Sequence, residues 1–182
     1  IAFTISATER LKTLIQDLLA FSRVRQGQGQ RTFAPVDTQA TVQHVLEDLA
    51  VQIGETGAQV SAAELPTVRA NAELLRHVFQ NLIGNALKFT VPGRPAVVQV
   101  SAERDGQMIR FRVQDNGIGI EAPLLPHVFD LFVQAERTPD RAQGGLGLGL
   151  ALVKNLVVLH GGEAAVEADG KRMTFTLAFP GA

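Results

Sequence analysis

The stretch His77-Val-Phe-Gln-Asn-Leu-Ile-Gly-Asn-Ala-Leu-Lys-Phe89 places amide and cationic groups on one face of a predicted helix. Positions 77, 81, 85 and 88 advance by four, four and three residues, so they lie above one another, and the apolar residues between them can face a core. The amide oxygens of Asn81 and Asn85 suit a hard cation such as Mg²⁺, and Lys88 suits phosphate. Taken alone, the row is equally compatible with a helix whose polar face meets water.

Composition indicates a soluble globular chain that can bury a substantial core. Of its 182 residues, 46% are hydrophobic and 19% are charged. A net charge of −1 and a pI near 6.5 argue against a protein that mainly coats nucleic acid or anionic membrane. The lack of cysteine excludes disulfides, thiolate metal sites and cysteine nucleophiles, and it fits a reducing cytoplasm. The longest apolar stretch, near 146–159, is interrupted by Lys154 and Asn155, so no membrane span is predicted.

The first 30 residues are predicted to form a separate unit, followed by a second unit over 31–182. Apolar residues recur between positions 5 and 25 at heptad-like spacing, which predicts a bundle or coiled-coil helix that needs a partner. They are Ala7, Leu11, Leu14, Leu18 and Phe21. The polar, glycine-containing stretch 26–30 then predicts a hinge. Because the helical pattern is already under way at Ile1, we expect this chain to be a piece of a longer protein.

Periodicity over 31–182 predicts an α/β chain, arranged as an α+β two-layer sandwich with about three helices over one face of a mixed, mostly antiparallel sheet. The predicted helices run from Asp37 or Thr38 to about Glu55, from a cap at Asn71 through the amide row, and from Gly149 to about His160. The predicted strands are 59–61, 67–70, a hairpin of 97–104 and 107–114 around Asp105-Gly106, and a closing pair of 163–167 and 172–179.

A second polar segment, Asp115-Asn-Gly-Ile-Gly-Ile120, follows directly on a predicted strand. Asn116-Gly117 can form a hairpin turn, but residues 121–126 do not return as a clean strand. The functional interpretation is that Gly117 and Gly119 let backbone approach a flat ligand, while Asp115 accepts hydrogen bonds from an exocyclic amine such as that of adenine. A carboxylate buried without such a donor would be costly.

The glycine-rich segment Gly144-Gly-Leu-Gly-Leu-Gly-Leu150 matches known phosphate-binding loops only in part. The preceding residues 137–143 are polar and contain proline, which argues against a Rossmann loop, and no Lys-Ser or Lys-Thr pair follows the glycines. The remaining mechanism is that backbone amides at a helix N-terminus present partial positive charge to phosphate oxygens. A flexible glycine lid without a ligand is the alternative.

Phe129-Asp-Leu-Phe132 is compatible with two core aromatic residues at i, i+3 spacing. The four histidines are scattered, without metal-ligand spacing, and none is assigned as a phosphoacceptor. They are His44, His77, His127 and His160.

Together and in this order, these segments resemble the ATP-binding catalytic domain of sensor histidine kinases, within the Bergerat-fold superfamily that includes Hsp90, gyrase B and MutL. Residues 81–89 look like the N box, 115–120 like the G1 box, 129–132 like the F box and 145–150 like the G2 box. The resemblance covers about residues 31–180. Asparagine at position 81, where chaperones and topoisomerases usually have glutamate, points to the kinases, and several short phrases look similar to phytochrome-type kinases.

The resemblance implies a role for each matched residue, with ATP and Mg²⁺ as cofactors. Asn85 would coordinate Mg²⁺, with Asn81 beside the triphosphate and Lys88 contacting phosphate. The remaining implied nucleotide-binding residues are Asp115 at the adenine amine, Gly117 and Gly119 in the base pocket, Phe132 of the F box, Gly145, Gly147 and Gly149 over the phosphates, and Thr174 near adenine. Residues 133–144 would form the ATP lid.

The implied activity is transfer of the ATP γ-phosphate to a protein histidine outside this chain, for relay to a response-regulator aspartate. Residues 11–24 look like the second helix of the dimerisation and phosphotransfer hairpin, so the first helix and its phosphoacceptor histidine are expected elsewhere. Implied partners are a second copy of the parent protein, the phosphotransfer hairpin and a receiver domain, with no nucleic acid or membrane contact and a cytoplasmic location. The alternatives are a Bergerat-type ATPase clamp, or a pseudokinase that acts as a docking module.

Overall fold

The computed structural model describes residues 32–133, 147–170 and 172–182. The predicted N-terminal helix and hinge lie outside the described residues, as do Gly145 and all but the first residue of the predicted lid. Within the described residues, no helix is long and apolar enough to cross a bilayer.

The described residues form helices and strands in the predicted order. The helices are α1 (Thr38–Asp48), α2 (Ala50–Thr56), α3 (Ala72–Lys88) and α4 (Gly149–Leu159), with a 3₁₀ helix at Ala122–His127. The strands are β1 (Ala34–Val36), β2 (Gln59–Ala62), β3 (Val68–Ala70), β4 (Val97–Asp105), β5 (Met108–Asp115), β6 (Glu163–Asp169) and β7 (Arg172–Pro180).

The main sheet has five strands in the order β2-β4-β5-β7-β6. Its β2–β4 pair is parallel and its other pairs are antiparallel, which confirms a mixed, mostly antiparallel sheet. Strands β1 and β3 form a separate antiparallel pair. The predicted hairpin joins β4 to β5, with Asp105 opposite Met108 and Gly106 at φ +61°. That positive φ explains the glycine, because side chains are strained there.

Two helices begin at the N-cap residues that the sequence predicts. One predicted helix is instead divided into two. The Asp37 side chain accepts a hydrogen bond from the Ala40 N–H at 3.0 Å, and the Asn71 side chain accepts one from the Leu74 N–H at 3.1 Å. The helix predicted from residue 37 to 55 divides into α1 and α2 at Leu49, whose ψ of 3° is not helical. The Leu49 N–H still donates to the Val45 carbonyl oxygen and the Leu49 carbonyl oxygen still accepts the Ile53 N–H, so α2 follows directly on α1.

The core lies between the helices and one face of the main sheet. Phe79 of α3 meets Phe111 of β5 edge-on, with ring centroids 5.5 Å apart, and Phe111 meets Phe179 of β7 at 6.0 Å. All three rings are completely buried, and each contributes roughly 1.5–3 kcal/mol. Along β7, buried Met173 and Phe175 alternate with partly exposed Thr174 and Thr176, so the threonines lie on the opposite face of the sheet.

Candidate functional site

The amide row on α3 faces the beginning of α4. Asn81 Nδ2 donates a hydrogen bond to the His77 carbonyl oxygen at 3.0 Å, which fixes the orientation of the Asn81 amide. A Cβ atom placed on Gly149 would lie 2.6 Å from Asn81 Oδ1 and 4.0 Å from Asn85 Nδ2. Such a 2.6 Å contact is too short for carbon and oxygen. Glycine at position 149 therefore lets α4 begin directly against the two predicted ligands, Asn81 and Asn85.

The N-terminus of α4 offers backbone donors next to this amide pair. Its N-cap is Leu148, which has no polar side chain, and no side chain of the described residues caps the helix by a hydrogen bond. The first N–H groups of a helix have no partner within the helix, and together they carry partial positive charge. Donors of this kind beside amide oxygens suit an anion that is accompanied by a hard cation.

Asp115 ends β5 and presents a carboxylate with spare hydrogen-bonding capacity. Its Oδ1 accepts the Gly117 N–H at 2.8 Å, the one hydrogen bond made by this carboxylate among the described residues. Partial burial raises the pKa of the Asp115 carboxyl above its ordinary value, and the hydrogen bond from Gly117 opposes that rise. The second carboxylate oxygen can accept a hydrogen bond from a ligand amine.

The end of α3 is held against the Asp115 loop by a backbone contact. The Ile118 N–H donates to the Phe89 carbonyl oxygen at 3.0 Å. A Cβ on Gly117 would lie 2.3 Å from that oxygen and 2.9 Å from Asp115 Oδ1. Gly117 is thus required by a protein contact, whereas the sequence predicted a ligand contact. Gly119 instead has φ +77° with open space beside its Cα, so its backbone conformation rather than a protein contact favours glycine.

Phe132 and Gly147 join the F box to the G2 segment. The Phe132 N–H donates to the Gly147 carbonyl oxygen at 3.2 Å, and a Cβ on Gly147 would lie 2.6 Å from the Val133 carbonyl oxygen. Phe132 has φ +65° and is 67% exposed, so it is not a core residue. Phe129 does pack inward, edge-on to Phe175 at 6.4 Å. The interpretation of both as core aromatics therefore holds for Phe129 alone.

Lys88 and Thr174 are the last two predicted nucleotide-binding residues with described positions, and they lie in different parts of the structure. Lys88 is the last residue of α3, and its Nζ sits 5.1 Å from the centre of the Phe89 ring. The Thr174 hydroxyl accepts a hydrogen bond from Gln114 Nε2 at 3.1 Å on the sheet face opposite the core. Asp115 instead pairs with buried Met173. The structure therefore does not bring Thr174 to the other residues.

Asn116 holds the Asp115 loop in place, a role that the sequence analysis missed. It is only 8% exposed, its Oδ1 accepts the Val97 N–H at 2.8 Å, and its Nδ2 donates to the Pro95 carbonyl oxygen at 3.1 Å. These bonds tie the loop to the beginning of β4. The available signal was the residue type, since asparagine side chains readily pair with nearby backbone, but the turn interpretation of Asn116-Gly117 concealed it.

The residues fit a magnesium ion that is bound mainly through its nucleotide. Within the described ranges, no group of three or more His, Cys, Asp or Glu side chains is placed to hold a metal. Mg²⁺ usually takes one or two protein oxygen ligands and completes its shell with phosphates and water. One amide oxygen from Asn85 meets that requirement.

Comparison with known proteins agrees with this geometry. Residues 70–182 match the family model described as histidine kinase-, DNA gyrase B-, and HSP90-like ATPase. The phytochrome-like protein Cph1 of Synechocystis is 34% identical over 99% of this chain, which spans 24% of that protein. The autoinducer 2 sensor kinase/phosphatase LuxQ of Vibrio vulnificus is 33% identical over 94% of this chain, which spans 21% of it.

Solved structures give the same result. The crystal structure of full-length ShkA in complex with AMPPNP is similar with a TM-score of 0.78 and 32% identity, covering 94% of this chain and 36% of that one. The Acinetobacter baumannii histidine kinase AdeS shares the fold, with a TM-score of 0.76 at 23% identity, covering 95% of this chain and 79% of that one. This chain therefore belongs to the histidine kinase-, DNA gyrase B- and HSP90-like ATPase family, and it carries the ATP-binding catalytic domain of a sensor histidine kinase.

Proposed function

We propose that this chain binds Mg·ATP between Asp115 and the Gly147–Gly149 segment and directs the γ-phosphate to a protein histidine on another segment. The observation that carries the proposal is the position of α3. Its amide row touches Gly149 through Asn81, and its last turn touches the Asp115 loop through Phe89 and Gly117. One helix thus connects a phosphate-type site to an adenine-type site.

At the phosphate end, the proposed role of the protein is to neutralise the charge of the triphosphate and to hold it in position. The bound Mg²⁺ would offset charge on the polyphosphate, and the Asn85 amide oxygen is its proposed protein ligand. Asn81, Lys88 and the first N–H groups of α4 are proposed to contact the triphosphate directly. In the transition state the phosphoryl group carries charge on its outer oxygens, so donors that are already in position lower the barrier to phosphoryl transfer. Gly145 is proposed to belong to the same phosphate-binding segment.

At the base end, recognition is proposed to rest on Asp115. Its second carboxylate oxygen accepts the adenine amine, while Gly117 keeps the first oxygen occupied at 2.8 Å. Gly119 leaves open space for the ring, and exposed Phe132 is proposed to contact the nucleotide from the F-box side. Thr174 is not proposed to contact adenine, because its hydroxyl lies on the far face of the sheet.

The wider activity is proposed by relation to longer proteins, because this chain spans about a quarter or less of the curated relatives given above. The parent protein is proposed to dimerise through the helix predicted over residues 5–25 and to pass the phosphoryl group to a response-regulator aspartate. Because such a relay consumes ATP, the domain is proposed to lie in the cytoplasm. An ATPase clamp is disfavoured, because the Asn81 amide cannot act as a general base and donates to the His77 carbonyl.

The first test is titration of the chain with a fluorescent ATP analogue, with and without Mg²⁺, for the parent and for Asn85→Ala. We expect the variant to lose the magnesium-dependent part of its affinity, about tenfold or more for a lost ligand to a charged centre. Asn155→Ala is the matched control, since Asn155 is an exposed helical amide that bonds only to the Ala151 carbonyl among the described residues. Equal affinity in Asn85→Ala and the parent would refute the metal assignment.

A second measurement separates the candidate functions. The chain is mixed with labelled Mg·ATP and a separately supplied phosphotransfer hairpin. Acid-labile, base-stable label on the hairpin histidine supports the kinase, and rapid release of free phosphate supports the clamp. Binding without either product supports the docking module.

A further inference from the structure

Phe132 has a backbone conformation that phenylalanine rarely adopts. Its φ is +65°, and among the described residues it is the one residue other than glycine with a positive φ. In this left-handed region the Cβ atom crowds the following carbonyl oxygen, so bulky residues are outliers there. The ring recovers little of this cost by burial, because Phe132 remains 67% exposed. Neither backbone preference nor core packing therefore accounts for phenylalanine at this position.

Two anchors hold the turn that contains Phe132. On one side, Phe129 packs edge-on to Phe175 with ring centroids 6.4 Å apart, and Lys154 Nζ lies 5.8 Å from the centre of the Phe129 ring. On the other side, the Phe132 N–H donates to the Gly147 carbonyl oxygen at 3.2 Å. A strained backbone conformation persists only where the surrounding contacts determine it, and such residues concentrate at functional sites.

The contact with Gly147 is made by backbone on both sides. Gly147 also has a left-handed backbone, with φ +70°. A Cβ atom placed on it would lie 2.6 Å from the Val133 carbonyl oxygen and 3.0 Å from the Phe132 Cα. The two segments are therefore too close for a side chain between them. Rotation of the backbone at Phe132 would move the atoms against which Gly147 packs.

Gly147 leads directly into the N-terminus of α4. Leu148 is the N-cap and Gly149 is the first helical residue, and a Cβ on Gly149 would lie 2.6 Å from Asn81 Oδ1. Contacts thus run from the Phe132 backbone, through Gly147, to the helix end that faces the amide row on α3. The first N–H groups of α4 are the proposed phosphate donors, and their direction depends on where and how the helix begins.

We propose that Phe132 is a positioning residue: its left-handed backbone sets the N-terminus of α4 relative to Asn81, so that residue 132 controls phosphate binding through its backbone preference. This inference rests on the proposed function, in which the Phe132 ring also contacts the nucleotide. The two roles lead to different expectations. The backbone role depends on how well residue 132 tolerates a positive φ, whereas the ring role depends on its aromatic surface.

The test compares the affinities of Phe132→Asn and Phe132→Val for Mg·ATP and for adenosine. Both variants lack the ring, so the loss of its contact with the nucleotide cancels between them. Asparagine tolerates the left-handed region, whereas β-branched valine does not. We expect Phe132→Val to bind Mg·ATP about tenfold more weakly than Phe132→Asn. Adenosine has no phosphate for α4 to contact, so the two variants should compete equally well with a fluorescent ATP analogue when adenosine is the competitor.

Val158→Asn is the matched control, since it replaces an exposed apolar residue of α4 with the same amide and should leave both affinities unchanged. Equal Mg·ATP affinities in Phe132→Asn and Phe132→Val, or a tighter Phe132→Val, would overturn the inference. An equal further loss of adenosine affinity in Phe132→Val would also overturn it, because that result indicates general damage to the fold.

Should Phe132→Val fail to fold, Phe132→Gly and Phe132→Ala form a second pair that differs by one methyl group. Glycine enters the left-handed region freely, so we expect Phe132→Ala to bind Mg·ATP about fivefold more weakly than Phe132→Gly. Equal affinities in this pair would overturn the inference as well. Absence of nucleotide binding by the parent would instead count against the proposed function itself.

Discussion

Asp115→Asn is predicted to weaken nucleotide binding without weakening the fold. The carboxylate has two acceptor oxygens, one of which receives the Gly117 N–H at 2.8 Å. The other is proposed to receive the adenine amine. An asparagine has one oxygen and one NH₂ group, so it can serve either Gly117 or the base, and its NH₂ then faces a second donor.

The size of the binding loss follows from that lost acceptor. A hydrogen bond to a charged group contributes about 1.5–3 kcal/mol, and each 1.4 kcal/mol corresponds to about tenfold in affinity. Asp115→Asn should therefore bind an ATP analogue roughly 10- to 150-fold more weakly than the parent.

The effect on stability has the opposite sign. Burial raises the pKa of the Asp115 carboxyl in the folded protein, so ionisation of Asp115 opposes folding at neutral pH. Below the ordinary aspartate pKa, both folded and unfolded states are protonated and the cost vanishes. It grows as pH rises through the interval from the unfolded pKa to the raised folded pKa, and it is fully present above that interval. Asp115→Asn should thus match or exceed the parent melting temperature at pH 7 and lose any advantage in acid.

The assay is a fluorescence titration and a thermal melt of the same protein preparations at pH 7. Asp169→Asn, at the exposed end of β6, removes the same charge away from the site and should leave affinity unchanged. Undiminished affinity in Asp115→Asn would refute the base assignment. A fall of many degrees in its melting temperature would refute the argument from burial.

Three further substitutions test other parts of the structure. Gly149→Ala should displace the Asn81 amide and so weaken nucleotide binding at least about tenfold. Circular dichroism should still show an intact helix, because alanine favours helices over glycine by about 1 kcal/mol. Asn116→Ala leaves two backbone groups unpaired and should lower the free energy of unfolding in urea by about 2–4 kcal/mol. Thr38→Val should raise it by about 1 kcal/mol, because the buried Thr38 hydroxyl has no partner among the described residues; a lower value would reveal a missed partner.

Local signals in the sequence determined the class of fold and the segments of the site. The caps at Asp37 and Asn71 and the hairpin after Asp105 depend on hydrogen bonds between residues close in sequence, so the residue types suffice to predict them. The amide row was predictable for the same reason, since helical periodicity alone aligns Asn81 with Asn85.

Tertiary structure alone decided which of those residues meet. Thr174 and Met173 are adjacent in sequence, yet strand register places Met173 opposite Asp115 and turns Thr174 to the far face, because neighbouring strand residues point in opposite directions. The reasons for Gly117 and Gly149 are contacts with Phe89 and Asn81, residues distant along the chain. The hydrogen bond from the Asn71 N–H to His160 Nε2 spans 89 positions, and only the packing of two helices creates it.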